Sequence, residues 1–155
     1  EMLEAVVEKH WPEYFETIAQ CLKAGGKACI QTIVIAEDLF ERYRRNTDFI
    51  QQYVFPGGML PSRESFKASA AKAGLRVEQE FAFGSDYAKT LCLWRDSFNH
   101  KLQEVRQLGF DEAFIRLWNF YLMYCAAGFT ERNIDVVQFT LSHQPSTASS
   151  DVLRA

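Results

Sequence analysis

Lys27-Ala-Cys-Ile-Gln-Thr-Ile-Val-Ile35 decides the fold class. The stretch is short, β-branched and almost continuously apolar, the pattern of a central strand covered on both faces. On its N-terminal side, Trp11, Phe15, Ile18 and Leu22 recur at helical spacing, widened by Tyr14 and Cys21. That predicts an amphipathic helix with Pro12 in its first turn and Gly25-Gly26 as its stop. On the C-terminal side, residues 37–53 read as one helical stretch with aromatics at Phe40, Tyr43, Phe49 and Tyr53. Two prolines and two glycines then make Phe55–Pro61 a loop.

Ser62 is placed to cap a helix carrying Phe66, Ala70 and Ala73, closed by Gly74. Residues 76–83 alternate Val77, Gln79, Phe81 and Phe83 against Glu78, Glu80 and Ala82, which predicts a strand with unequal faces. Two helices follow. The first aligns Leu91, Trp94, Phe98, Leu102 and Val105 and ends at Gly109; the second starts at the Asp111 cap and is apolar nearly all round from Phe114 to Cys125. Residues 135–141 form a last strand, and a Pro, Ser, Thr and Ala tail from Gln144 is expected to be disordered. The alternation predicts an α/β layered domain over 1–143 with a mainly parallel sheet. The helical hairpin before the last strand lets that strand run antiparallel.

Composition narrows the partners. With 155 residues, a net charge of −3 and 24% charged residues, the chain lacks the broad basic field of a nucleic-acid binder. No apolar run approaches the roughly 20 residues of a membrane span. Cys21, Cys29, Cys92 and Cys125 form no C-x-x-C pair and fall in apolar patterns, so they are expected as buried thiols of a cytoplasmic protein, with no metal. No glycine-rich phosphate or dinucleotide loop is present. Arg42, Arg44 and Arg45 form a basic knot, readable as a solvated helix face or as a contact for phospholipid head groups.

Several words of the sequence are more specific. Glu1-Met-Leu-Glu-Ala-Val6 is followed by Tyr14-Phe15 and Leu22-Lys-Ala-Gly-Gly26. Then come Phe49-Ile-Gln-Gln-Tyr-Val-Phe-Pro-Gly-Gly-Met-Leu-Pro-Ser62 and Phe83-Gly-Ser-Asp-Tyr87 with Thr90, Leu91 and Trp94. Phe120-Tyr-Leu122 with Cys125, Gly128-Phe129 and Asn133-Ile-Asp-Val-Val-Gln138 complete the set. In order and spacing these resemble the cyclopropane-fatty-acyl-phospholipid synthase and mycolic acid cyclopropane synthase family of S-adenosylmethionine-dependent methyltransferases.

The resemblance implies the C-terminal half of a class I, Rossmann-like methyltransferase sheet with an inserted helical hairpin. The family's Gly-rich cofactor motif lies upstream of the matched words, so no cofactor-binding residue is assigned in this chain, which begins at Glu1 rather than Met. The implied reaction moves a methyl group from S-adenosylmethionine to a cis double bond of a phospholipid acyl chain. Loss of a proton from the cationic intermediate then closes a cyclopropane ring. The implied base is a bound bicarbonate, with Glu4, Ile33 and Tyr87 at three ligand positions and Gln31 where the family carries His. A Gln amide donates a hydrogen bond to an anion but carries no charge. Within its apolar strand Gln31 needs a partner, structural or anionic. Phe55, Met59, Leu60, Trp118, Tyr121 and Tyr124 are the expected acyl-chain lining. The partners expected are phospholipid at the inner membrane face and either the missing N-terminal half or a second copy paired along the edge of strand 27–35. A methyl-branched product and a non-catalytic lipid-binding module are the rival readings.

Overall fold

The computed structural model describes residues 2–145. Two 3-10 turns, Leu3–Ala5 and Glu8–His10, lead into α1 (Trp11–Cys21) and then β1 (Ala28–Ile35). Next come α2 (Glu37–Arg45), α3 (Phe49–Tyr53), α4 (Arg63–Lys72) and β2 (Leu75–Ala82). The hairpin consists of α5 (Gly84–His100), α6 (Leu102–Gln107) and α7 (Glu112–Thr130), and β3 (Ile134–His143) closes the fold. The sheet order is β1-β3-β2, with β3 antiparallel to both neighbours. β1 and β2 therefore share a direction without touching. The antiparallel last strand agrees with the sequence reading, whereas the mainly parallel sheet does not appear among the described residues.

β1 is likewise an edge strand here, not a central one. Its apolar run reports two covered faces, and both are covered. Ile30 and Val34 join Phe15, Phe66, Phe139 and Leu141 under α1 and α4, while Ile33 packs with Val136, Leu91 and Leu122 under α5 and α7. A continuous apolar run cannot say how many strands flank it.

Local chemistry sets the helix ends. Ser62 and Ser65 cap α4 reciprocally, and Asp111 Oδ1 accepts from the Phe114 amide at 2.8 Å. The stretch 37–53 breaks into two helices because Asp48 opens a second capping box with Gln51. In β2 a bulge between Val77 and Gln79 resets the alternation. Glu80 turns onto the α4 side, where it meets Lys67 at 2.7 Å and Arg63 at 2.9 Å, and Phe81 turns outward at 58% exposure. The expected grouping of Phe81 with Val77 is thereby overturned.

The cysteines depart from expectation. Cys21, Cys29 and Cys92 are exposed and Cys125 is half-buried. The three exposed thiols lie beside the stripe their helix or strand buries, while Cys125 packs against the cluster under α5 and α7. No described helix is long and apolar enough to cross a membrane. Gln144 is tied back to Gly74 and Leu75 by hydrogen bonds, and the remainder of the expected tail, residues 146–155, lies outside the described residues, as does Glu1.

Candidate active site

The site begins at the open edge of β1. In an antiparallel pair, alternate amides of an edge strand point away from the partner. Glu4 Oε1 accepts from one of these, the Ile33 amide, at 2.6 Å, and the Pro61 carbonyl accepts from the Ile35 amide at 2.9 Å. The edge expected to recruit another chain is thus capped at this end by a carboxylate and a loop carbonyl. Glu4 is half-buried, and its own carbonyl accepts from the Met59 amide at 2.9 Å. One residue therefore fastens the Pro-Gly loop to the strand.

That loop needs its glycine. A Cβ on Gly58 would sit 3.1 Å from the Phe55 carbonyl and 3.4 Å from that of Glu4. Gln51 Nε2 donates to the Gly58 carbonyl at 2.9 Å, and the Leu60 amide donates to Tyr43 Oη at 3.4 Å. Burial pushes the Tyr43 phenol up to about 12, so it stays protonated at neutral pH. Tyr14 is also raised, by burial first and then by the Glu4 charge.

Gln31 lies directly opposite Gln138 in the β1–β3 ladder, and Gln138 Nε2 donates to Gln31 Oε1 at 3.0 Å. That bond holds the Gln31 side chain against the neighbouring strand. Gln138 is the partner that spacing does not reveal, because 107 residues separate the two. Tyr87 sits in the first turn of α5, its ring 5.3 Å from that of Phe129, in the same apolar cluster as Ile33. Asp135 fixes that turn. Its Oδ1 accepts from the Gly84 amide at 2.8 Å, and its Oδ2 pairs with Arg63 at 2.8 Å. A Cβ on Gly84 would lie 2.5 Å from Asp135 Oδ1, so the Phe-Gly word reflects a close approach that only glycine permits.

The expected lining divides into two groups. Phe55 meets Tyr121 edge-on at 6.4 Å, Tyr121 lies 5.0 Å from Trp118, and Tyr124 lies 5.6 Å from Phe49. These form one aromatic surface along α7. Met59 and Leu60 instead pack under the loop in the core around Phe15 and Phe66. Phe49 and Phe120, 4.7 Å apart, extend the aromatic surface. Arg44 of the basic knot pairs with Glu8 at 2.9 Å on the surface.

Residues 1–139 match the mycolic acid cyclopropane synthetase family. The chain belongs to that family. It is 39% identical over 142 residues to tuberculostearic acid methyltransferase UfaA1 of Mycobacterium tuberculosis, a match covering 91% of this chain and 33% of the relative. It is 32% identical over 143 residues to the cyclopropane-fatty-acyl-phospholipid synthase of Escherichia coli, covering 91% of this chain and 35% of that protein. Among solved structures, mycolic acid cyclopropane synthase CmaA1 complexed with SAH and CTAB superposes with a TM-score of 0.80 at 28% identity. That match covers 89% of this chain and 51% of CmaA1. The chain thus spans about a third of the curated relatives' length and half of the solved one's. Its α/β fold is a partial class I methyltransferase domain, with the helical hairpin between β2 and β3.

Proposed function

We propose that the chain supplies the acyl-lipid surface and the anion site of an S-adenosylmethionine-dependent methyltransferase. Its substrates are cis double bonds in phospholipid acyl chains, and its products are cyclopropane or methyl-branched chains. The observation that carries the reading is the Glu4 carboxylate held at 2.6 Å by the Ile33 amide, two residues placed by the family resemblance in one anion site. The names of the relatives, a methyltransferase and a cyclopropane synthase, fit the reading, as does the SAH bound in CmaA1.

The donor set suits a bicarbonate. Glu4 would accept the hydroxyl of the ion, while Gln31 and Tyr87 would donate to its oxygens. When bound, the ion supplies a general base. The chain's own residues do the rest. The Ile33 amide orients Glu4, Gln138 orients Gln31, and the Gly84–Asp135 contact sets the turn that carries Tyr87. The aromatic faces along α7 exclude water from a carbocation and stabilise its charge. No residue of this chain is assigned to the methyl donor. Contact with the cytoplasmic membrane face belongs to the same proposal, since the substrate is a phospholipid, as does pairing with a second copy along the remainder of the β1 edge.

The test incubates the full-length protein with vesicles of cis-unsaturated phospholipid and S-adenosylmethionine, followed by mass spectrometry of the acyl chains. Chains one carbon heavier that have lost the double bond are the expected result. Lipid binding without any change in acyl mass would favour the non-catalytic module and overturn the proposal.

A further inference from the structure

We infer that Arg63 is a positioning residue for Tyr87: from one layer of the fold its guanidinium sets the turn that carries Tyr87 on the other. α4 packs on one face of the sheet through Phe66 and Ala70, and α5 on the other through Ala88 and Leu91. Arg63 opens α4 and donates to two strands, from Nη1 to Glu80 Oε2 of β2 at 2.9 Å and from Nη2 to Asp135 Oδ2 of β3 at 2.8 Å. The second Asp135 oxygen, Oδ1, accepts from the amide of Gly84, the first residue of α5, at 2.8 Å. Tyr87 follows within that turn, its amide donating to the Phe83 carbonyl at 3.3 Å. Charge-assisted hydrogen bonds therefore run unbroken from the guanidinium to the α5 terminus.

The two carboxylates do not depend on Arg63 equally. Glu80 also meets Lys67 at 2.7 Å, so it keeps a cation if Arg63 is lost. Among the described residues Arg63 is the one cation paired with Asp135. The Asp135 side chain is 33% exposed, and without the guanidinium it is free to turn to water and release the Gly84 amide. Arg63 is tied to the Glu4 end of the site as well. The carbonyl of Pro61, two residues before it, accepts from the Ile35 amide at 2.9 Å, on the same strand edge where the Ile33 amide holds Glu4. Ser62, between them, is wholly buried. Arg63 thereby stands between the two halves of the candidate site. A planar guanidinium holds two carboxylates at a fixed angle, which an ammonium, a point charge on a flexible stem, does not.

The role of Tyr87 rests on the function proposed above, but its position does not, and the experiment reads the two separately. The full-length protein is labelled with 3-fluorotyrosine, and the fluorine resonance of residue 87 is assigned by its loss in Tyr87→Phe. Arg63→Met should shift or broaden that resonance while leaving that of Tyr14, packed on the α1 core, in place. Arg63→Lys, which keeps the charge, should move it less, and it guards against a Met variant that fails to fold, as checked by its thermal melt. Turnover of cis-unsaturated phospholipid vesicles should fall about tenfold to a hundredfold in Arg63→Met, in kcat rather than KM. The same substitution should cost nothing further in Tyr87→Phe, since both act at one point. An unmoved residue-87 resonance in both Arg63 variants, or a full additional loss in the Tyr87→Phe background, would overturn the inference. A resonance that moves in a protein that leaves acyl chains unmodified would leave the coupling standing and remove only the proposed reaction.

Discussion

The two faces of the sheet are packed to different standards. Under α1 and α4, Phe15, Phe66 and Phe139 are wholly buried, with Phe66 stacked on Phe139 at 4.0 Å and crossed edge-on by Phe15 at 5.1 Å. Under α5 and α7 the cluster is smaller, and Trp94, Phe120 and Tyr124 remain 53%, 54% and 40% exposed. Both faces are rich in aromatics, so composition alone does not distinguish them. One face closes on itself and stabilises the fold. The other leaves ring surface uncovered, and it lies beside Tyr87 and Ile33. The proposed function assigns that open ring surface to the acyl chain.

The sharpest way to break that contrast is a matched pair of truncations. Phe66→Ala should cost about 3–5 kcal/mol, the range for a fully buried ring. Phe120→Ala should cost under about 1 kcal/mol while weakening acyl-lipid binding. Urea denaturation of both variants gives the two numbers. Equal costs would mean that the α7 face is ordinary core.

Gly84→Ala sits between the faces and should come next, at about 1–3 kcal/mol, because the new methyl must displace Asp135. It should also disturb the turn that carries Tyr87. A melt unchanged from the parent would show that the close approach is not required.

The smallest effect concerns acid. Glu80 resists ionisation through partial burial, but hydrogen bonds and charge from Lys67 and Arg63 outweigh that and hold its carboxyl below the usual 4.5. Its folded value is depressed, so its contribution is present above the unfolded value and is lost as pH falls through the folded one. Comparing parent and Glu80→Gln melts from pH 7 downward should show the parent's advantage shrinking below about 4.5. A constant difference would contradict the assignment.

These contrasts also show where the sequence was informative. The stripe of α1 and the Ser62 cap follow from periodicity and local chemistry, which neighbouring residues carry, and the antiparallel β3 follows from the helical hairpin that precedes it. The bulge that turns Glu80 inward, the Gln31–Gln138 pair and the edge position of β1 depend on register between distant strands. Cys21, Cys29 and Cys92 were misjudged because an apolar neighbourhood in sequence does not say which side of an element a residue occupies. In the site, the resemblance pointed to Glu4, Ile33 and Tyr87. The latch from the Met59 amide to the Glu4 carbonyl involves main-chain atoms, which no residue pattern announces. Met59 and Leu60 bear loop positions that suggest lining, yet the loop turns them into the opposite core.

The central claim is that the carboxylate capping the Ile33 amide serves the chemistry. The most direct measurement is the rate at which the full-length protein converts cis-unsaturated phospholipid, compared between parent and Glu4→Gln, with vesicle binding measured alongside. The account predicts a fall in turnover of about a hundredfold or more with lipid binding little changed, the scale of a lost proton-transfer arrangement. Parental turnover by Glu4→Gln would show that Glu4 does no more than cap a strand edge, and would contradict the account.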